Sequence, residues 1–185
     1  PLFLVPLASG TEYFWVACGT AKVYVHDGSS WTNITRQSGG SDVNYSATAT
    51  ENWSATVIGG VLILNNGIDD PQEWPTSAGL ASTATKLQDL TNWPASTTCK
   101  VMRAYRTFLV ALNVTESGTE YPRLVKWSHE APTHTVPSSR DESTASLDAG
   151  KYELAQGSAA EIVDGMTLGD QDINFKEDSI VQMSY

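Results

Sequence analysis

A chain of 185 residues and 20.0 kDa is long enough to bury a real core. Hydrophobic residues make up 41% and charged residues 17%, which excludes a disordered tail. The net charge of −10 argues against a nucleic-acid binder that works through a basic surface.

Counting along the chain gives 19 Ser and 20 Thr. That composition is poor in helix formers and typical of loop-rich β proteins. Two cysteines cannot form a disulfide framework, and neither sits in a metal-ligand spacing. The opening residues, PLFLVPLASG, are apolar but carry two prolines and no preceding basic region, so they do not read as a signal peptide. No stretch approaches transmembrane length, and no membrane-spanning segment is expected. The sequence lacks an initiating Met and closes on the strand-like run SIVQMSY, a pattern expected of a fragment of a longer chain.

Four segments share a short pattern. From Gly19 to Thr35, the apolar run Val23-Tyr24-Val25 meets Asp27-Gly28, a two-residue hairpin signal, before Trp31 and Ile34. From Thr56 to Trp74, Val61 to Leu64 is a continuous apolar strand, followed by the turn Asn65-Asn66-Gly67 and then Trp74. From Arg106 to Trp127, Phe108 to Leu112 is the strand, Ser117-Gly118 lies in the connection, and Leu124 to Trp127 returns. From Leu168 to Tyr185, Ile173 and Phe175 alternate, Glu177-Asp178 marks the turn, and Ile180, Val181 and Met183 return. The strand starts are roughly 40 to 65 residues apart, the period of propeller blades. Runs of four or five apolar residues fit strands buried on both faces. The expected fold class is therefore all-β. Residues 1–185 form one β-rich domain of propeller-like antiparallel hairpins with long loops, and that domain is part of a larger propeller. A β-sandwich with long loops is the competing architecture. Trp31, Trp74 and Trp127 are expected to pack near the ends of hairpins.

Ser38 to Asn52 and His129 to Gly150 are long polar connections, and loops of this length usually serve binding or assembly. Ala78 to Leu90, with Leu80, Ala84 and Leu87 at helical spacing, predicts a short helix.

Candidate chemistry is thin. His26, His129 and His134 are the only histidines, and they read as solvated loop residues rather than a zinc site. Ser128-His129-Glu130 lists triad residue types side by side, but adjacency is not triad geometry. The five residues from Asp27 to Trp31 approximate the Asp box of sialidase propellers without its leading Ser, and that box is itself structural. Asp69-Asp70 and the group Asp164, Asp170 and Asp172 lack the EF-hand pattern and fit turn chemistry. Paired carboxylates for glycoside hydrolysis have no local support. Six tryptophans could stack on sugars, although large aromatics more often fill cores. Asn33, Asn44, Asn52 and Asn113 begin sequons that reflect the Ser/Thr-rich composition. No catalytic, cofactor-binding or metal-binding residue is assigned, and no cofactor is expected.

Two longer stretches carry a resemblance. Cys99 to Pro132 reads CKVMRAYRTFLVALNVTESGTEYPRLVKWSHEAP, a strand, a turn, and a return strand closing on Trp-Ser-His-Glu-Ala. Ala159 to Tyr185 reads AAEIVDGMTLGDQDINFKEDSIVQMSY. Both resemble consecutive units of the propeller-bearing tail proteins of short-tailed bacteriophages, the nozzle (tail tubular protein B) type. The earlier units GTAKVYVHDGSSW and GGVLILNNGIDDPQEW fit the same style. Asn174 departs from the pattern, standing where an apolar residue is usual, which predicts a solvated strand face. The resemblance implies a structural virion protein without catalytic residues, assembled in the host bacterial cytoplasm. It implies a hexameric ring in the phage tail that meets the adaptor and tail fibres and extends the DNA ejection channel. Viral DNA would pass through without sequence-specific binding, and an acidic lumen would keep phosphates from sticking. The alternatives are a receptor- or glycan-binding propeller of a tail fibre, betrayed by three or more clustered solvent-facing tryptophans, and a glycoside hydrolase fragment. The hydrolase would need an arginine cluster or facing carboxylates, whereas Arg36, Arg103, Arg106, Arg123 and Arg140 are scattered.

Overall fold

The apolar start of the chain is a strand. In the computed structural model, which describes residues 2–50, 52–74, 81–144, 147–155 and 158–184, β1 (Phe3–Ser9) turns at Gly10–Thr11 into β2 (Glu12–Cys18). β3 (Val23–His26) and β4 (Trp31–Asn33) complete an antiparallel sheet in chain order. Alternation sorts its side chains: Phe14, Val16, Cys18, Val23 and Val25 point to a core, whereas Leu4, Trp15 and Tyr24 point away from it. A small hairpin, β5 (Gln37–Ser38) with β6 (Ser41–Asp42), interrupts the next connection.

The second sheet comprises β7 (Ser54–Ile58), β8 (Val61–Asn65), β9 (Gln72–Trp74) and β10 (Gln88–Asp89). The third comprises β11 (Thr97–Tyr105), β12 (Phe108–Glu116), β13 (Thr119–Trp127) and β14 (Gly150–Glu153). The fourth has three strands, β15 (Ile162–Leu168), β16 (Gln171–Lys176) and β17 (Ile180–Ser184). Every sheet is antiparallel and follows chain order, and the described residues contain no helix.

The repeat is set by the first hairpin of each sheet. Each has a two-residue turn whose first residue has positive φ: Gly10 (60°), Gly59 (57°), Arg106 (53°) and Gly169 (61°). Left-handed residues let a two-residue turn follow the right-handed twist of the strands. The turns recur at intervals of 47 to 63 residues, at or somewhat beyond the length of repeat-protein units. The unit from Gly19 to Thr35 is out of step with this repeat, because its apolar strand is β3, the third of its sheet, while the apolar strands of the other three units are β8, β12 and β16, the second of theirs.

The sheets pack face to face in sequence. Val61 and Ile63 of β8 join the core shared with the third sheet, while Leu62 and Leu64 join the core shared with the first. Leu109 and Ala111 of β12 face the second sheet, and Val110 and Leu112 face the fourth. Thus Val61 to Leu64 and Phe108 to Leu112 are buried, because each feeds two cores. Trp74 meets Phe14 edge to face at 5.6 Å across the first interface.

First strands also join side by side. The Met102 and Ala104 N–H groups of β11 donate to Ser54 Oγ (3.3 Å) and Thr56 Oγ1 (2.8 Å) of β7. On the other side, Arg103 Nε donates to the Gly165 carbonyl of β15 at 2.9 Å, and Thr167 Oγ1 donates to the Ala104 carbonyl at 3.1 Å. Side chains thereby satisfy backbone groups that an edge strand leaves open.

Four expectations are corrected. No helix spans the part of 78–90 that is described: residues 81–87 are turn and extended chain, and β10 follows, with Leu87 and Leu90 buried from opposite sides of it. Leu80 lies outside the described residues. Asp27-Gly28 is not a two-residue turn; residues 27–30 form a longer loop in which Asp27 Oδ1 accepts the Ser29 and Ser30 N–H groups, each at 2.9 Å. Trp31 is 54% exposed, its ring 5.0 Å from that of His26, whereas Trp74 is fully buried and the half-buried Trp127 ring lies over Gly150. Asn174 is fully buried. The polar side chains Asp172, Asn174 and Lys176 face inward, and half-buried Ile173 and Phe175 face outward, the reverse of what polarity alone predicts.

Two substitutions test this arrangement. Leu109→Asp places an unpaired charge between the second and third sheets and should abolish cooperative, soluble folding; a soluble variant with a normal denaturation curve refutes that packing. Gly59→Ala puts a methyl 2.7 Å from the Thr135 carbonyl at positive φ, and chemical denaturation should show a loss of about 1–3 kcal/mol.

Candidate functional site: the outer faces of the end sheets

Alternation gives every strand two faces, and the two end sheets of the stack cover only one each. On the first sheet, the strand pairings place Leu4, Tyr13, Trp15, Tyr24 and Trp31 on the open face. Trp15 pairs with His26, and His26 pairs with Trp31, so a row of rings crosses three strands. On the fourth sheet, Met166 pairs with Ile173, and Phe175 with Ile180. Leu168 extends the same face, which reaches 61% exposure at Leu168 and 67% at Ile180. One end is aromatic and the other mainly aliphatic. Contiguous apolar faces of this kind mark interaction surfaces.

The residues singled out for chemistry are held by local structure. His26 Nδ1 accepts the Gly28 N–H at 3.1 Å, and His129 Nδ1 accepts the Asp148 N–H at 3.2 Å. His134 has a positive φ of 62° in an exposed loop. Ser128 Oγ donates to the His129 carbonyl and accepts the Leu109 N–H, so its hydroxyl ties a loop to β12. Asp69 and Asp89 flank Arg36 at 3.1 and 2.9 Å, and the guanidinium lies 5.0 Å from the Tyr45 ring centre. This cluster fastens the chain leaving the first sheet to the second. Burial, and then the Asp89 charge, push the Asp70 carboxyl above the ordinary aspartate range.

The acidic group predicted near the end of the chain is not one site. Asp164 pairs with Arg103 at 2.6 Å, Asp170 pairs with Arg106 at 3.3 Å, and Asp172 is buried between sheets. Among the described residues no group of three or more His, Cys, Asp or Glu could hold a metal ion. No helix of the described residues is long and apolar enough to cross a membrane. Two tryptophans, Trp15 and Trp31, face solvent, short of the three set as the mark of a sugar-binding surface. The paired open faces escaped sequence reasoning. Their signal was available in the alternation of Leu4, Trp15 and Tyr24 against Val16, Val23 and Val25, and in the outward set Met166, Leu168, Ile173 and Phe175.

No protein-family model matches the chain, and no curated protein matches it.

Burial and exposure each give a check. Burial pushes the Cys18 and Cys99 thiols up to about 12. Neither should react with a thiol reagent at pH 8 until the chain is denatured; fast native-state labelling overturns their placement. Trp15→Ser and Ile180→Ser should each change stability by no more than about 0.5 kcal/mol, the range for exposed positions, yet weaken any assembly that covers these faces. A denaturation curve read beside particle mass separates the two effects.

Proposed function

We propose that the chain is part of a β-propeller in the tail nozzle of a short-tailed bacteriophage, a structural virion protein rather than an enzyme. The observation that carries this reading is the serial stack: four antiparallel sheets in chain order, packed face to face, with both end faces apolar and bare. Blades of a propeller stack in this way, and a blade at an open end leaves such a face for its neighbour. The contacts of β7 with β11, and of β11 with β15, fit first strands gathered around a common axis. Further blades of the same kind cover the aromatic and aliphatic faces.

The resemblance of Cys99 to Pro132 and of Ala159 to Tyr185 supplies the rest of the proposal. Copies form a hexameric ring in the virion, joined to the adaptor and tail fibres, around the channel through which DNA leaves. Contacts around such a ring are heterologous, joining unlike patches of neighbouring copies. The long connections 38–52 and 129–150 supply them. The charge of −10 favours passage of DNA without adhesion.

A second reading has one observation of its own. Tyr13, Trp15, Tyr24 and Trp31 offer rings on which sugars could stack, as in a receptor-binding module of a tail fibre.

Native mass spectrometry of the purified protein, paired with a glycan array, separates the readings. The nozzle reading expects a ring-sized particle that fractionates with phage tails and leaves the array blank. A stable monomer that binds glycans, and loses them on Trp31→Ala, overturns it in favour of the second.

A further inference from the structure

The third and fourth sheets do not close completely. A cavity of about 190 Å³ remains between them. Its walls are the rings of Tyr105, Phe108 and Trp127, the Met183 thioether and two valines. One charged side chain, Asp172, completes the lining. An apolar cavity of about 150 Å³ is already large enough for benzene.

Asp172 is only 6% exposed. Its Oδ2 accepts a hydrogen bond from Asn174 Nδ2 at 3.1 Å. Among the described residues the neighbouring cations have other partners: Arg103 pairs with Asp164, Arg106 pairs with Asp170 and lies 5.5 Å from the Tyr105 ring centre, and Lys176 Nζ donates to the Leu154 and Ser158 carbonyls. A buried carboxylate without a cationic partner is rare, because desolvation penalises the charge. Burial accordingly raises the Asp172 carboxyl above the ordinary aspartate range.

The rings around it are fixed with their polar handles turned to the backbone. The Tyr105 hydroxyl donates to the Asp170 carbonyl. Trp127 Nε1 donates to the Asp148 carbonyl at 2.8 Å. The Trp127 ring lies over Gly150, where a Cβ would come within 2.4 Å of it. The polar tips of Tyr105 and Trp127 are thus committed to carbonyls, and a ligand meets apolar walls and one carboxylate.

We propose that this cavity binds a small organic ammonium, its apolar substituents packed against Tyr105, Phe108 and Trp127 and its charge beside Asp172. Ring faces attract cations, more strongly when desolvated. An ion pair is also stronger in a low-dielectric site than in water. A neutral apolar guest leaves the carboxylate without a partner, and an anion meets repulsion. A hard metal ion finds one carboxylate where it needs six or more oxygen ligands. The ammonium arrives as a free metabolite or as the side chain of a lysine or methylated lysine on a partner protein; the recognition chemistry is the same. This inference does not depend on the propeller or nozzle reading.

The test is an NMR titration of the chain with choline, and separately with its neutral isostere 3,3-dimethylbutan-1-ol. The probes are the Trp127 indole N–H, assigned through Trp127→Phe, and the Met183 methyl. Choline should give saturable shifts at both. The isostere should bind about tenfold or more weakly, a difference of about 1.4 kcal/mol. Asp172→Asn, which keeps shape and hydrogen-bonding capacity, should remove the preference for choline without lowering the thermal midpoint. Equal binding of the two guests, choline binding unchanged by Asp172→Asn, or no saturable shift each overturns the proposal. A trimethyllysine peptide in the same titration distinguishes the sources: tighter binding than choline assigns the cation to a partner protein, and weaker binding assigns it to a free metabolite.

Discussion

Two strands that are buried on both faces hold the stack together. β8 and β12 each send alternate side chains into different cores, so neither belongs to one layer. A strand of this kind has no solvent side on which to place a polar residue, and its apolar run follows from that. Loss of a buried leucine in β8 or β12 would cost about 2–5 kcal/mol, and the resulting cavity would lie against a neighbouring sheet as well as its own.

Polar groups are managed by the same economy of position. The first strand of a sheet is an edge, and edges expose unpaired N–H and C=O groups. Here Ser54, Thr56, Arg103 and Thr167 carry those groups across to the next sheet. The Ser/Thr richness of the chain thus has a structural use at the seam between sheets, besides its use in turns. Asn174 Oδ1 faces inward without a hydrogen-bond partner, on the strand that also carries Asp172.

Much of the strand content was legible because alternation and continuous apolar runs are local signals. Val61 to Leu64 and Phe108 to Leu112 stand out in any window. The register of the repeat was harder to read. Its marker is a left-handed residue at the first hairpin, and glycine fills three of these four positions while Arg106 fills the other, which hides the pattern. The predicted helix near Leu87 failed because leucines three or more apart can also be drawn into two separate cores by an extended chain. The inward Asp172 and Asn174 were illegible for a different reason. Which face of β16 is covered depends on the third sheet, and no local rule reports that.

The serial packing has a consequence for how the molecule comes apart. Each sheet is held by its immediate neighbours, so stability behaves like a row of coupled units rather than one indivisible core. A sheet in the middle has two interfaces, and a sheet at either end has one. Amide hydrogens in β1 and β17 therefore open to solvent by local fluctuation more readily than those of β8 and β12. In the proposed propeller, a closed row would give every unit two neighbours and remove both loose ends at once. Under that proposal, the step that completes the ring would also slow its unfolding.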